Sequence, residues 1–275
     1  MGVRRSRAFT GVNIVLFFEG TGQGVPGKHT NVTRLHDACR ADDRQHLHLE
    51  AGPGTRFGNW IGGRVAGLDW RRIFAGARRW FEQTCASLPP GSETPRVFLF
   101  GFSRGATLAR HFASWLEKLD VPVAYLGVWD TVDATVGLDV SVDCPQNVQC
   151  ARHAVARDER RRFFDIVPLR IPKTDVSRPV KVDEMVFPGV HSDVGGLYED
   201  NHVIADVSLA WIAQGARRQG LRFVPGTHFL QRFDPAQVRL HDSRHLISNL
   251  WGALGTVTRA LDGMRRHRSC RIGGP

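Results

Sequence analysis

Several features that would place a chain in a large functional class are scarce in this sequence. Its five cysteines, at positions 39, 85, 144, 150 and 270, form no C-x-x-C pair. An odd number at such spacings supplies neither a zinc-ribbon pattern nor a complete disulfide framework, and a reducing compartment follows as the simpler expectation. Long apolar runs are missing as well. The longest early one, Ile14 to Phe18, is far too short for a signal-peptide core or a membrane span. The chain is therefore expected to be cytoplasmic in the cell that makes it, with no signal peptide and no transmembrane segment. There is no internal repeat, low-complexity tract, RNP motif, zinc finger or leucine zipper. Acidic residues are in deficit, with 27 Asp and Glu against 37 Lys and Arg, for a formal charge of +10. The basic residues are scattered in short clusters such as Arg71-Arg72, Arg160-Arg161-Arg162 and Arg265-Arg266, as on a solvated surface. Charge of this sign favours an anionic partner. Nucleic acid, phospholipid headgroups and a charged substrate all answer that description, and charge alone does not choose between them.

What remains is ample material for one core: 275 residues, 42% of them hydrophobic. The expected division is a basic arm over residues 1–12, a single domain over 13–262 and a basic tail over 263–275. Asn13 to Phe18 is a continuous apolar run ending in Glu19-Gly20-Thr21-Gly22, as in a buried parallel strand entering a glycine-rich loop. Helical spacing between Asp69 and Ala86 ends at Pro89-Pro90-Gly91. Arg96 to Phe100 predicts a strand and Ala106 to Leu119 a helix. Val121 to Val128 predicts a third strand, 151 to 164 a charged helix and Val182 to Phe187 a fourth strand. Asp206 to Gln219 predicts a helix capped at Asp206 and stopped by Gly220, and His245 to Leu261 is helix-like. Alternating strands and helices predict an α/β fold, α/β-hydrolase-like, with a mostly parallel central sheet and helices on both faces.

Between the second predicted strand and its helix stands Gly101-Phe102-Ser103-Arg104-Gly105, a G-x-S-x-G pentapeptide in the strand-turn-helix setting of a nucleophile elbow. The sharp turn exposes the serine hydroxyl above the sheet, and the helix N-terminus offers amides to developing negative charge. A serine needs a histidine base and an acid to orient it, in the chain order Ser, Asp or Glu, His for this fold. Asp130, directly after the third strand, and His191, just past the fourth, stand at strand ends where such a fold keeps its site. Asp133 and Asp193 compete for the acid's role, and Asp193 has a second use in bracing the glycine turn after His191. His153 is expected in a supporting position, whereas His202, His228 and His241 are less clearly tied to a strand end. The backbone amide of Arg104 and one from Gly20 or Thr21 would form the oxyanion hole. Gly22 to Gly27 also fits G-x-G-x-x-G, but Pro26 stands where a phosphate-binding helix should begin, which argues against a dinucleotide site. His46, His48 and Glu50 alternate as strand ligands can, yet lack a third partner. No metal or organic cofactor is expected.

Taken together, GFSRGA with Arg110, LGVWDTV, His153-Ala154 followed by Asp158-Glu159-Arg160-Arg161, FPGVHSDVGG and a helix containing Leu209-Ala210-Trp211 resemble the DUF2235 group of α/β-hydrolases, which includes the Tle1 phospholipase effectors of type VI secretion. Thr30-Asn31-Val32 with Arg34-Leu35 resembles the family's T-N-V-x-R-L segment, and Glu19-Gly20-Thr21 its D-G-T, with Glu19 in place of the usual aspartate. The resemblance implies a serine hydrolase with Ser103, Asp130 and His191 as its triad. In the effector branch it implies activity on phospholipid acyl esters, delivery to a target cell and a secretion or immunity partner. Two other readings stand beside it: a soluble esterase or thioesterase for small acyl substrates, and an inactive hydrolase scaffold used for binding.

Overall fold

The first strand, β1 (Asn13–Phe18), is apolar almost throughout because both its faces are covered. Ile14, Leu16 and Phe18 enter one core and Val15 and Phe17 the other, the two-residue alternation of a strand. In a computed structural model, which describes residues 11–21, 29–53, 69–132, 138, 140–161, 164–172, 180–229, 234–242, 259, 261 and 264–267, β1 stands inside a seven-stranded sheet. The other strands are β2 (Gln45–Glu50), β3 (Arg96–Phe102), β4 (Val123–Trp129), β5 (Cys150–Ala156), β6 (Lys181–Phe187) and β7 (Arg265–Arg266). Their order is β2-β1-β3-β4-β5-β6-β7, and every pairing is parallel.

Helices α2 (Trp70–Ser87) and α3 (Arg104–Glu117) cover the face carrying Ile14 and Leu16, through Ile73, Phe81, Leu108 and Phe112. The opposite face is covered by α1 (Asn31–Ala38) and α5 (Val203–Arg218), through Val32, Leu35, Leu209 and Ile212. A five-residue helix, α4 (His191–Gly195), follows β6. This is the α/β-hydrolase arrangement. Its strand order reverses beside β1, and folds of this kind keep their sites at such a point, at the carboxyl ends of the strands.

The T-N-V-x-R-L block is explained by packing. Thr30 caps α1, accepting from the amides of Val32 at 3.0 Å and Thr33 at 3.3 Å, and donates its own proton to Glu19 at 2.5 Å. Asn31 Nδ2 donates to the carbonyls of Val194 and Ala205 at 3.0 and 2.9 Å, and Arg34 pairs with Asp206. The segment after β1 is thereby tied to the turn carrying α4.

Three expectations are corrected. Residues 151–156 are not helical: Cys-Ala-Arg-His-Ala-Val-Ala is β5, a central strand paired with β4 and β6. Its alanines favour helix in isolation, but their small side chains suit a strand buried on both faces, and packing overrides propensity. Asp206 is not the cap of α5, which begins at Val203; Asp206 lies one turn in, held by Arg34. Arg265 and Arg266 do not belong to a loose tail, since they pair with Met185 and Val186 at the edge of the sheet. The 1–10 part of the N-terminal arm, the Gly22–Gly27 loop, Asp133 and most of the expected helix over 245–261 lie outside the described residues. Cys39, Cys85, Cys144 and Cys150 are unpaired thiols.

Candidate active site

The β3-α3 turn is tight enough to dictate its own residues. A Cβ on Gly101 would stand 2.4 Å from the Gly105 carbonyl oxygen, and one on Gly105 would stand 2.1 Å from that of Phe18. The two glycines let helix and strand touch, which accounts for both fixed glycines of the pentapeptide. Gly105→Ala should therefore force α3 away from β1, costing about 2–3 kcal/mol by overpacking and moving the amides beside Ser103. Thermal or denaturant unfolding checks this, and a variant as stable as the parent would contradict it.

Ser103 itself has φ 60° and ψ −125°, a conformation that non-glycine residues rarely occupy. Strain of this kind costs about 1–3 kcal/mol and persists only where the surroundings impose it. Here Ser103 N–H donates to the Trp129 carbonyl of β4 at 3.0 Å, and the Ser103 carbonyl accepts from Ala106 at 3.1 Å, so both ends of the residue are fixed. Its hydroxyl makes no hydrogen bond with any described residue, and the residue as a whole is 5% exposed. Arg104 N–H is one of the first amides of α3, which have no intrahelical acceptor.

Asp130 follows β4 directly, also at positive φ (41°), and is fully buried. Its Oδ1 accepts from Ala156 N–H at 2.8 Å, and its Oδ2 accepts from His191 Nδ1 at 2.6 Å. Because the carboxylate accepts a hydrogen bond from Nδ1–H, the neutral ring presents Nε2 as its basic atom. His191 opens α4 and is held from several directions. Its N–H donates to Glu159 at 3.2 Å, Phe102 stacks on its ring at 4.5 Å, and Phe164 packs edge-on at 4.9 Å. Ser103 and His191 are thus linked through Phe102, the immediate neighbour of the serine, and no hydrogen bond joins the hydroxyl to Nε2. Such bonds are often long before substrate binds.

Burial alone would raise the Asp130 pKa, but the Arg259 charge and the His191 hydrogen bond outweigh it and hold the carboxyl well below the usual range. Burial lowers the His191 pKa from its ordinary value, and the Asp130 contact offsets this only in part. The imidazole is consequently kept neutral, as a general base requires.

Of the supporting residues expected from sequence, His153 is buried in β5, accepting from Thr131 N–H at 3.1 Å and contacting Glu184 at 2.8 Å. It steadies the residue after Asp130 from a strand, not from a helix. Asp193 braces the turn before His191 and not the one after it: its Oδ2 accepts from Val190 N–H at 2.9 Å, and its Oδ1 meets His241 at 2.5 Å. Gly20 N–H donates to Glu19 at 3.1 Å, so its amide is engaged in this arrangement; Thr21 is exposed at the mouth of the loop. His48 pairs with Glu50 at 2.9 Å and stacks on Trp80 at the sheet edge.

Two side chains at the site were not predicted. Glu159, buried and paired with Arg161 at 2.8 Å, receives the His191 amide; the Asp158-Glu159-Arg160-Arg161 block was visible, but not its target. Arg259 grips Asp130 through both carboxylate oxygens, at 2.6 and 2.9 Å. Nothing in the local sequence announces it.

A family model described as "T6SS, Phospholipase effector Tle1-like, catalytic domain" matches residues 12–121 and 116–215. No curated protein sequence matches the chain. Among solved structures, an uncharacterized protein from Pseudomonas aeruginosa is similar over 78% of this chain and 46% of its own, at 18% identity and a TM-score of 0.52, which shows a shared fold. The Tle1 effector bound to the VgrG spike of the Type 6 secretion system is similar over 69% of this chain and 52% of its own, at 19% identity and a TM-score of 0.44. The RedJ thioesterase of the prodiginine pathway in Streptomyces coelicolor is similar over 75% of this chain and 91% of its own, at 15% identity and a TM-score of 0.43. This chain spans about half the length of the first two.

Proposed function

Since the chain belongs to the Tle1-like catalytic-domain family of type VI phospholipase effectors, we propose that it hydrolyses phospholipid acyl esters through a covalent acyl-enzyme on Ser103. The observation that carries this reading is the buried Asp130–His191 pair, joined at 2.6 Å, with Phe102 stacking the same imidazole against the elbow that holds Ser103. Ser103 Oγ attacks the ester carbonyl as His191 Nε2 takes its proton, and the oxyanion that forms is met by Arg104 N–H and by a second amide after β1, that of Thr21. Collapse of the tetrahedral species breaks the bond to the lysophospholipid alcohol, which leaves with the proton from the imidazolium. Water, deprotonated by His191, then attacks the acyl-serine and releases the fatty acid, returning the proton to Ser103. Asp130 holds the ring in one tautomer and balances its transient charge.

The overall positive charge supports peripheral contact with an anionic lipid surface. Among the described residues no helix is long and apolar enough to cross a membrane. Delivery by a type VI apparatus, with the secretion and immunity partners that it entails, is the route that the family implies.

Vesicles of phosphatidylglycerol and of phosphatidylcholine, analysed by mass spectrometry for fatty acid and lysophospholipid, test the proposal. Release by the parent protein and none by a Ser103 variant is expected. Hydrolysis confined to short-chain soluble esters would redirect the reading to a small-substrate esterase, and no hydrolysis of either would contradict it.

The pH profile carries a sign. His191 must be neutral to accept the serine proton, and its pKa lies below the ordinary histidine value of 6.5 because it is buried. The acid limb of kcat/KM should therefore have its midpoint below 6.5, with activity lost as pH falls through it. A midpoint above the ordinary value would contradict the electrostatics described here.

A further inference from the structure

Arg259 lies outside the stretch matched by the family model. Its side chain is 1% exposed. Nη1 donates to Asp130 Oδ1 at 2.6 Å and to the Ala156 carbonyl at 2.9 Å, while Nη2 donates to Asp130 Oδ2 at 2.9 Å and to the Phe164 carbonyl at 2.5 Å. This is the planar fork that guanidinium offers and ammonium cannot. The same guanidinium thus holds the acid that orients His191 and the backbone of the aromatic residue that walls its ring. Burying an arginine this deeply is costly, and its Nε is left without a partner, so the contact has to be sustained by the charge it meets.

We propose that Arg259 is a positioning residue of the site, inserted behind Asp130 by the C-terminal segment to fix the carboxylate and to share its charge with the imidazole. The inference rests on the triad reading given above. A buried carboxylate facing only a histidine would draw a proton onto the ring; one gripped by a permanent cation does so far less. The other charges around His191 follow the same plan. From the segment after β5, Glu159 meets the His191 amide and is matched by Arg161 at 2.8 Å. On α4 itself Asp193 is paired with His241, and on α5, which packs against α4, Asp206 is paired with Arg34. Each of these three carboxylates has its own cation or histidine, which favours the neutral ring while its orientation stays fixed.

Titration of the His191 ring by NMR in the whole protein, comparing the parent with Arg259→Gln and Arg259→Lys, tests this without any substrate. The parent ring should titrate below its ordinary value. Arg259→Gln should move it upward by about one unit or more, and Arg259→Lys, which keeps the charge but not the fork, should stay close to the parent. The acid limb of hydrolysis should move with the NMR value in the Gln variant, whereas a merely structural arginine would lower kcat at every pH and leave the limb in place. A folded Arg259→Gln protein with an unmoved His191 titration would overturn the proposal. Should that variant not fold, a parent ring that titrates above 6.5, or a Lys variant shifted upward by a full unit, would overturn it equally. Because the titration needs no turnover, an inactive protein with the expected shifts would fail the hydrolase reading and leave this one standing.

Discussion

Replacing Ser103 by alanine should lower kcat for ester hydrolysis by about 10³-fold or more and leave the fold as stable as the parent to within about 1 kcal/mol. The two halves of this expectation have separate causes. The hydroxyl is the atom proposed to form the acyl bond, and a methyl group cannot replace it. It makes no hydrogen bond with any described residue, so its loss leaves no buried partner unsatisfied, unlike most deletions of a polar group. The backbone at position 103, φ 60° and ψ −125°, is set by the bonds to Trp129 and Ala106 and not by the side chain. Glycine relieves that conformation, so Ser103→Gly should be equally inactive and more stable than Ser103→Ala, by about 1 kcal/mol. Steady-state kinetics with equilibrium unfolding of the two variants checks both halves. Residual activity near the parent level would remove Ser103 from the mechanism.

Asp130→Asn should be damaging on both axes, with kcat down by about 10⁴-fold and stability down by about 3–5 kcal/mol. The carboxylate accepts four hydrogen bonds, from Ala156, His191 and both terminal nitrogens of Arg259. An asparagine offers one oxygen and one amide, so whichever way it turns, its NH₂ faces a donor. If it faces His191, the ring is pushed towards the wrong tautomer and Nε2 ceases to be the base. In either orientation the NH₂ also meets one of the Arg259 nitrogens, and the buried guanidinium loses its counter-charge. The stability deficit should be largest at neutral pH. The Asp130 pKa is depressed by folding, so its contribution is present above the unfolded carboxyl value of 3.8 and is lost as pH falls below that value. Unfolding measured at pH 7 and at pH 3 should show the gap between parent and variant narrowing. A variant as stable as the parent at pH 7 would mean that Arg259 finds another partner.

These contrasts show which parts of the site sequence can reveal. That Ser103, Asp130 and His191 stand beyond the carboxyl ends of β3, β4 and β6 was legible because each follows a short apolar strand. The glycines at 101 and 105 were legible for the same local reason, since a turn that brings helix and strand into contact admits no Cβ. β5 was misread because Cys-Ala-Arg-His-Ala-Val-Ala carries good helix formers, and only its position between β4 and β6 makes small residues the better fit. That error placed His153 on the wrong kind of element, and the sequence, which suggested a supporting role for it, did not say beside which residue. Gly20 was assigned a free amide because the loop's role suggested one, and the Glu19 carboxylate that engages it became visible only in three dimensions. Arg259 was the largest omission. Its contact with Asp130 spans 129 residues of sequence, and no periodicity or motif records a pairing at that distance. Arg265 and Arg266, within the stretch read as a basic tail, pair with β6, and Arg259, within the stretch read as helix-like, brings a charge to Asp130.

The central claim is that Ser103 is an activated nucleophile, and covalent labelling tests it most directly. The protein would be treated with a fluorescent fluorophosphonate, digested, and the adduct located by peptide mass, with Ser103→Ala and His191→Ala treated alongside. The predicted result is a single adduct on Ser103 in the parent and none in either variant, each shown to be folded. An adduct on another residue, or a folded parent protein that stays unlabelled while its phospholipid substrate is hydrolysed, would contradict it.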